Sequence, residues 1–127
     1  MQSDRISFYQ AWPARMNAMK GRPGGGDIGK AFGPFFQGLM KDDSAAGGLP
    51  VKHKELVALA IGVALRCDAC IYAHVEKCLK AGATPREVMD AAGVAVMMGG
   101  GPAYTHVPVV SEAIAELERR GAAASTD

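Results

Sequence analysis

Leu56-Val57-Ala58-Leu59-Ala60-Ile61-Gly62-Val63-Ala64-Leu65 and the stretch after it, Arg66-Cys67-Asp68-Ala69-Cys70-Ile71-Tyr72-Ala73-His74, decide the fold. The first is apolar on nearly every side of a helix, which predicts a central, buried element on which any polar group is costly unless paired. It ends far short of the ~18 apolar residues of a membrane span. Aspartate suits a first helical turn, so a new helix is expected from about Cys67 and Asp68 to Lys80, where Gly82 stops it. Upstream, Pro50 sits where a helix start tolerates proline, and Glu55 lies one turn into that helix.

Working outward, Thr84-Pro85-Arg86-Glu87 combines a capping Thr, a Pro at the first helical position and a Glu three residues after the cap. It predicts a sharp helix start, followed by an apolar helix from Val88 to Met98. Gly99-Gly100-Gly101-Pro102 breaks that helix. A last one is expected from Ala103 to Arg119, with Val107, Val110, Ile114 and Leu117 inward, then a frayed tail over 121–127. Towards the N-terminus, one helix is expected over about Arg5 to Lys20, kinked or restarted near Pro13. A second is expected over about Asp27 to Lys41, with a stripe of Ile28, Phe32, Phe35, Phe36 and Leu39. The residues of 42–48, DDSAAGG, read as a linker.

Almost no stretch has the alternation and β-branched content of a strand, so the fold class is all-α, a compact chain of about five to six helices. The 127 residues fit one domain, read as an N-terminal helical extension and linker (1–47), a core (48–120) and the tail. Apolar residues make up 49% of the chain and charged residues 21%, enough for a packed core and for solubility. Lys and Arg number 14 against 13 Asp and Glu, with no block of like charge, which argues against nucleic acid and against a membrane as partners. The N-terminus lacks the pattern of a secretory signal, so a cytoplasmic location is expected. Three near-continuous apolar helices in so short a chain expose more apolar surface than one small core hides, which predicts oligomerisation.

The chemistry concentrates where Cys67 and Cys70 stand three apart and His74 four beyond the second, sharing one helix face. A CxxC at a helix start allows a disulfide, and the helix N-terminus favours a thiolate, the species that attacks peroxide or disulfide. By helix geometry His74 serves Cys70 more directly than Cys67. If the two helices pack antiparallel, Glu55 approaches His74 and completes a nucleophile, base and orienter chain.

Glu55, Cys67-x-x-Cys70, then x-x-x-His74, followed by GATPREVMDAAGVAVMMGGGPAYTH over 82–106, together resemble the alkylhydroperoxidase D-like branch of the carboxymuconolactone decarboxylase family. The match runs over about Leu49 to Ile114. The resemblance implies an all-helical alkylhydroperoxidase D-like fold assembled as a homotrimer or homohexamer. It implies a thiol-dependent peroxidase that acts on a hydroperoxide and cycles through a Cys67–Cys70 disulfide, with His74 and Glu55 as proton relay. The implied reductant is a dithiol, on a lipoyl carrier or a thioredoxin-like protein. Better-studied members carry Tyr directly before the second Cys, where this chain has Ala69, and Tyr72 cannot point the same way.

Competing readings exist for each signal. The thiols can serve as small buried hydrophobes, or as a redox sensor in a non-enzymatic oligomer; a decarboxylase has no use for a CxxC pair. Zinc on Cys67, Cys70, His74 and Cys78 is disfavoured, because on one helix they spread over about 16 Å of rise. No metal or cofactor is expected. Cys78 reads as a packing residue, and His53 and His106 as surface or interface residues. The stretch from Gly24 to Ala31 nearly spells a phosphate loop but lacks the Ser or Thr and the preceding strand, and is read as a flexible linker.

Overall fold

A computed structural model describes residues 2–125, with side chains described from Ser7 to Gly121 apart from Tyr9. The described residues form helices and no strand: α1 (Gln2–Lys20), α2 (Gly25–Met40), a 3-10 turn (Ser44–Ala46), α3 (Val51–Ala64), α4 (Asp68–Lys80), α5 (Pro85–Gly99), the four-residue α6 (Gly101–Tyr104) and α7 (Val107–Ser125). Six long helices and one short turn of helix therefore make up the all-α fold. The chain divides into two compact units, residues 1–48 and 49–127.

In the first unit α1 runs as one helix through Pro13 and pairs with α2. The glycine-rich stretch expected to be a flexible linker is helical from Gly25 onward. The reason is close approach: a Cβ on Gly25 would sit 1.9 Å from the carbonyl oxygen of Met19, so only glycine lets α2 start against the end of α1. The stripe expected on α2 is present as a ladder of rings, Phe32 standing 6.3 Å from Phe35 and 5.7 Å from Phe36. Within the single chain Ile28, Phe32, Phe35 and Leu39 remain exposed.

In the second unit α3 packs against α4 and α5, and α4 packs against α7. Leu59, Val63, Ile71, Val75, Val88 and Val110 are fully buried between them. Thr84 closes a capping box: its hydroxyl accepts from the Glu87 N–H at 3.0 Å, and the Glu87 carboxylate accepts from the Thr84 N–H at 3.0 Å. Lys52 of α3 also reaches Glu87, at 2.9 Å.

Two expectations are corrected. Helix α3 is not buried all round: its main neighbours are α4 and α5, with a smaller contact to α6, and Val57, Ile61 and Leu65 stay 50%, 53% and 70% exposed. The last helix is not continuous from Ala103. It breaks at Thr105 and His106, because the Pro102 carbonyl takes the Thr105 hydroxyl at 2.8 Å and the Nδ1 of His106 lies 3.1 Å from it. Helix α7 then starts afresh, runs through Ser125 and buries Val110 and Ile114. Of the tail expected to fray, the last two residues lie outside the described ones.

Candidate functional site

The turn from α3 into α4 fixes the cysteines. Arg66 takes a left-handed conformation (φ 57°), its N–H bonds the Val63 carbonyl at 3.0 Å, and the Cys67 N–H bonds the Gly62 carbonyl at 3.0 Å. These two bonds form a Schellman closure of α3, made without the usual glycine. Cys67 is at once the residue that ends this closure and the N-cap of α4, where its sulfur accepts from the Cys70 N–H at 3.2 Å. A sulfur in that place faces the orphan N–H groups and the positive end of the helix dipole, both of which stabilise a thiolate. Cys67 and Cys70 are joined as a disulfide, with their Cα atoms 5.2 Å apart. Both cysteines are half-buried.

Gly62 is buried beneath the pair. A Cβ there would stand 3.3 Å from the Cβ of Cys70, so the absent side chain lets α3 approach α4 at the disulfide. Gly62 carried no sequence signal beyond being the one glycine in an apolar run.

One turn past Cys70, Nδ1 of His74 lies 2.7 Å from Oε2 of Glu55, whose side chain is 5% exposed. The α3–α4 packing thus brings together the two residues that spacing alone could not. A buried carboxylate is tolerable only when hydrogen-bonded, and the imidazole N–H supplies that bond. Donation from Nδ1 also fixes the tautomer, so Nε2 is the nitrogen of His74 able to take up or release a proton.

Three other residues sharpen the picture. Cys78 is fully buried, and burial, followed by the negative charge of Glu55, pushes its thiol up to about 12. It therefore stays protonated and inert, in agreement with its reading as a packing residue. Tyr72 is buried on the α7 side of α4; burial raises its pKa, with the positive charge of Arg120 opposing the shift. His53 is exposed.

His106 is the residue that spacing did not flag. The break between α6 and α7 places its Nε2 3.7 Å from Oδ1 of Asp68, the residue directly after Cys67. No group of three or more His, Cys, Asp or Glu side chains able to hold a metal occurs among the described residues. No described helix is long and apolar enough to cross a membrane.

With the geometry in hand, the comparisons with known proteins agree with one another. A family model described as carboxymuconolactone decarboxylase family matches residues 27–108. The chain belongs to the carboxymuconolactone decarboxylase family. Among solved structures of that family, a protein from Legionella pneumophila superposes with a TM-score of 0.73 at 30% identity, covering 91% of this chain and 96% of the other. An uncharacterized protein of Cupriavidus necator is 39% identical over 67 residues, 53% of this chain and 59% of its own length. A further one, uncharacterized protein 4 in the cox locus of Paracoccus denitrificans, is 34% identical over 90 residues, 71% of this chain and 78% of its own. Against the first of these relatives, then, the chain's match spans under two thirds of the relative's length.

Proposed function

We propose that this family member is a thiol-dependent peroxidase that reduces a hydroperoxide and cycles through the Cys67–Cys70 disulfide, with His74 and Glu55 as its proton relay. The observation that carries the reading is the 2.7 Å bond between His74 and a buried Glu55 one helical turn from that disulfide. A structural disulfide has no need of a buried acid–base pair beside it.

In the reduced protein one thiol ionises, and its thiolate attacks an oxygen of the hydroperoxide. The O–O bond breaks, sulfur gains an S–OH, and the departing alkoxide takes a proton to leave as alcohol. The second thiol attacks the sulfenic sulfur, forming the S–S bond and releasing water. A dithiol reductant, carried by a lipoyl domain or a thioredoxin-like protein, then restores both thiols and becomes a disulfide itself. Through Nε2, His74 takes the proton from Cys70 and returns it to the leaving oxygen, while Glu55 stabilises the imidazolium in between.

The direct test is a thiol count. Protein reduced with dithiothreitol and freed of it should lose two titratable thiols per chain on adding one equivalent of hydroperoxide, with one equivalent of alcohol formed. An unchanged count would sink the reading. If the thiols oxidise but no dithiol donor supports turnover, the protein is a redox sensor.

The same reading includes a homotrimer or homohexamer. It is supported by a contiguous apolar surface on the second unit: Val57 and Ile61 of α3 flank a groove of about 290 Å³ with Val94 and Met98 of α5, all of them half or more exposed. A monomeric mass at micromolar concentration in solution would overturn it.

A further inference from the structure

The turn between α6 and α7 brings an imidazole to the end of the motif that Glu55 and His74 do not serve. Nδ1 of His106 lies 3.1 Å from the Pro102 carbonyl and 3.3 Å from the Thr105 hydroxyl, which itself donates to the same carbonyl. A carbonyl only accepts, so the contact with Pro102 is a hydrogen bond when Nδ1 carries the proton. In neutral His106 the bare lone pair of Nε2 would then face Oδ1 of Asp68 at 3.7 Å. That oxygen has no accessible surface and no hydrogen-bond donor, although the Asp68 side chain as a whole is 41% exposed. A second proton on His106 turns this unfavourable encounter into an ion pair.

We propose that His106 is a positioning residue for the redox pair: as an imidazolium it offsets the Asp68 carboxylate beside Cys67 and so stabilises the thiolate of the reduced motif. The inference rests on the redox reading above. Asp68 occupies the first position of α4, between the two cysteines, where its charge opposes ionisation of either thiol. Other charged or titratable groups bordering the motif are Arg66, exposed in the α3–α4 turn, and the Glu55–His74 pair on the α3 side. On the α7 side the opposing group is His106. The protein thus carries one carboxylate–imidazole pair at each end of the motif. The buried one handles protons at Cys70, and the half-exposed one sets the charge felt at Cys67.

Reduction of the disulfide by a dithiol consumes two electrons and two protons, and a stabilised thiolate favours that direction. The chemistry therefore makes a signed prediction for three variants. His106→Gln leaves Asp68 uncompensated and should raise the apparent thiol pKa by about half a unit to one unit. It should also shift the equilibrium with dithiothreitol several-fold towards the disulfide. Asp68→Asn should move both quantities the opposite way, and the double variant should return close to wild type.

The measurements are thiolate absorbance near 240 nm against pH on the reduced protein, and redox equilibrium with dithiothreitol. Neither needs peroxide turnover. Equal values in all four proteins overturn the inference, and so do shifts of the same sign in both single variants, which is what loosening of the turn alone would give. If wild type yields no new thiols with dithiothreitol, the redox reading fails as well, and the two failures are distinguishable.

Discussion

Helix α4 and its cap carry all three cysteines of the chain, and the two ends of the helix treat them oppositely. At the N-terminal end Cys67 and Cys70 are half-buried, joined to each other, and set among orphan backbone N–H groups, two imidazoles and two carboxylates. Towards the C-terminal end Cys78 has no accessible surface and packs in an apolar core, near enough to Glu55 for the carboxylate to hold its proton on. The residue type is the same at all three positions. What differs is the supply of positive potential and solvent, which decides whether a thiolate forms. On the proposed reading Glu55 acts in both places with opposite effect: through His74 it would help move a proton near Cys70, while its charge suppresses ionisation of Cys78.

The largest expected effect tests the contrast between the ends. Cys70→Ser should abolish hydroperoxide consumption with a dithiol donor, a loss on the order of 10³-fold or more as for removal of a nucleophile. Cys78→Ser should retain activity within about twofold when measured on folded protein. Comparable losses in both variants would erase the distinction between a reactive and a silent end. Glu55→Gln comes next: it preserves volume and removes the charge that holds His74. It should lower kcat about 10- to 100-fold while leaving KM near wild type, by analogy with loss of a carboxylate that orients a functional imidazole. An unchanged kcat would leave Glu55 as a purely structural group.

Much of this contrast was legible in the residues themselves. The spacing of Cys67, Cys70 and His74 is local, and local spacing on a helix translates directly into a shared face. The Thr84 capping box was equally plain, because all of its partners lie within four residues. Glu55 was legible only on the assumption that α3 and α4 pack antiparallel, since nineteen residues separate it from His74. His106 was not legible at all. Its role depends on a helix break that runs against apolar periodicity, which suggested one helix from Ala103 to Arg119. The break comes from the competition of Thr105 and His106 for the Pro102 carbonyl, a side-chain effect that periodicity does not record. Gly25 and the exposed side of α3 were misread for a related reason. Glycine content suggested flexibility where close backbone approach required glycine, and an all-round apolar helix suggested full burial where α4, α5 and a small contact with α6 leave part of its surface open.

A smaller effect reads the contrast through chemical modification. In reduced, folded protein at pH 8, iodoacetamide should label two cysteines per chain, and mass mapping should assign them to Cys67 and Cys70. Cys78 should be labelled only after unfolding. Rapid labelling of Cys78 in the folded state would show that the core around it opens, and would remove burial as the cause of its silence.

The smallest effect is on stability. A thiol whose ionisation is pushed from its ordinary 9.0 to about 12 in the folded protein binds its proton more tightly there than in the unfolded chain. Below pH 9 both states hold the proton and Cys78 contributes no pH dependence. Between about 9 and 12 the unfolded chain releases its proton while the folded one does not, so folding stability falls as pH rises, by about 1 kcal/mol at pH 10. Cys78→Ala should abolish this part of the alkaline loss. It should also cost about 1 to 2 kcal/mol at neutral pH, because a fully buried sulfur is replaced by a small void. Urea unfolding at pH 7 and pH 10 on both proteins, with Cys67 and Cys70 kept as the disulfide, reads the two effects separately. If the variant retained the whole alkaline slope, the slope would belong to other groups, Tyr72 first among them since burial raises it too. The silent end of α4 would then rest on the labelling result alone.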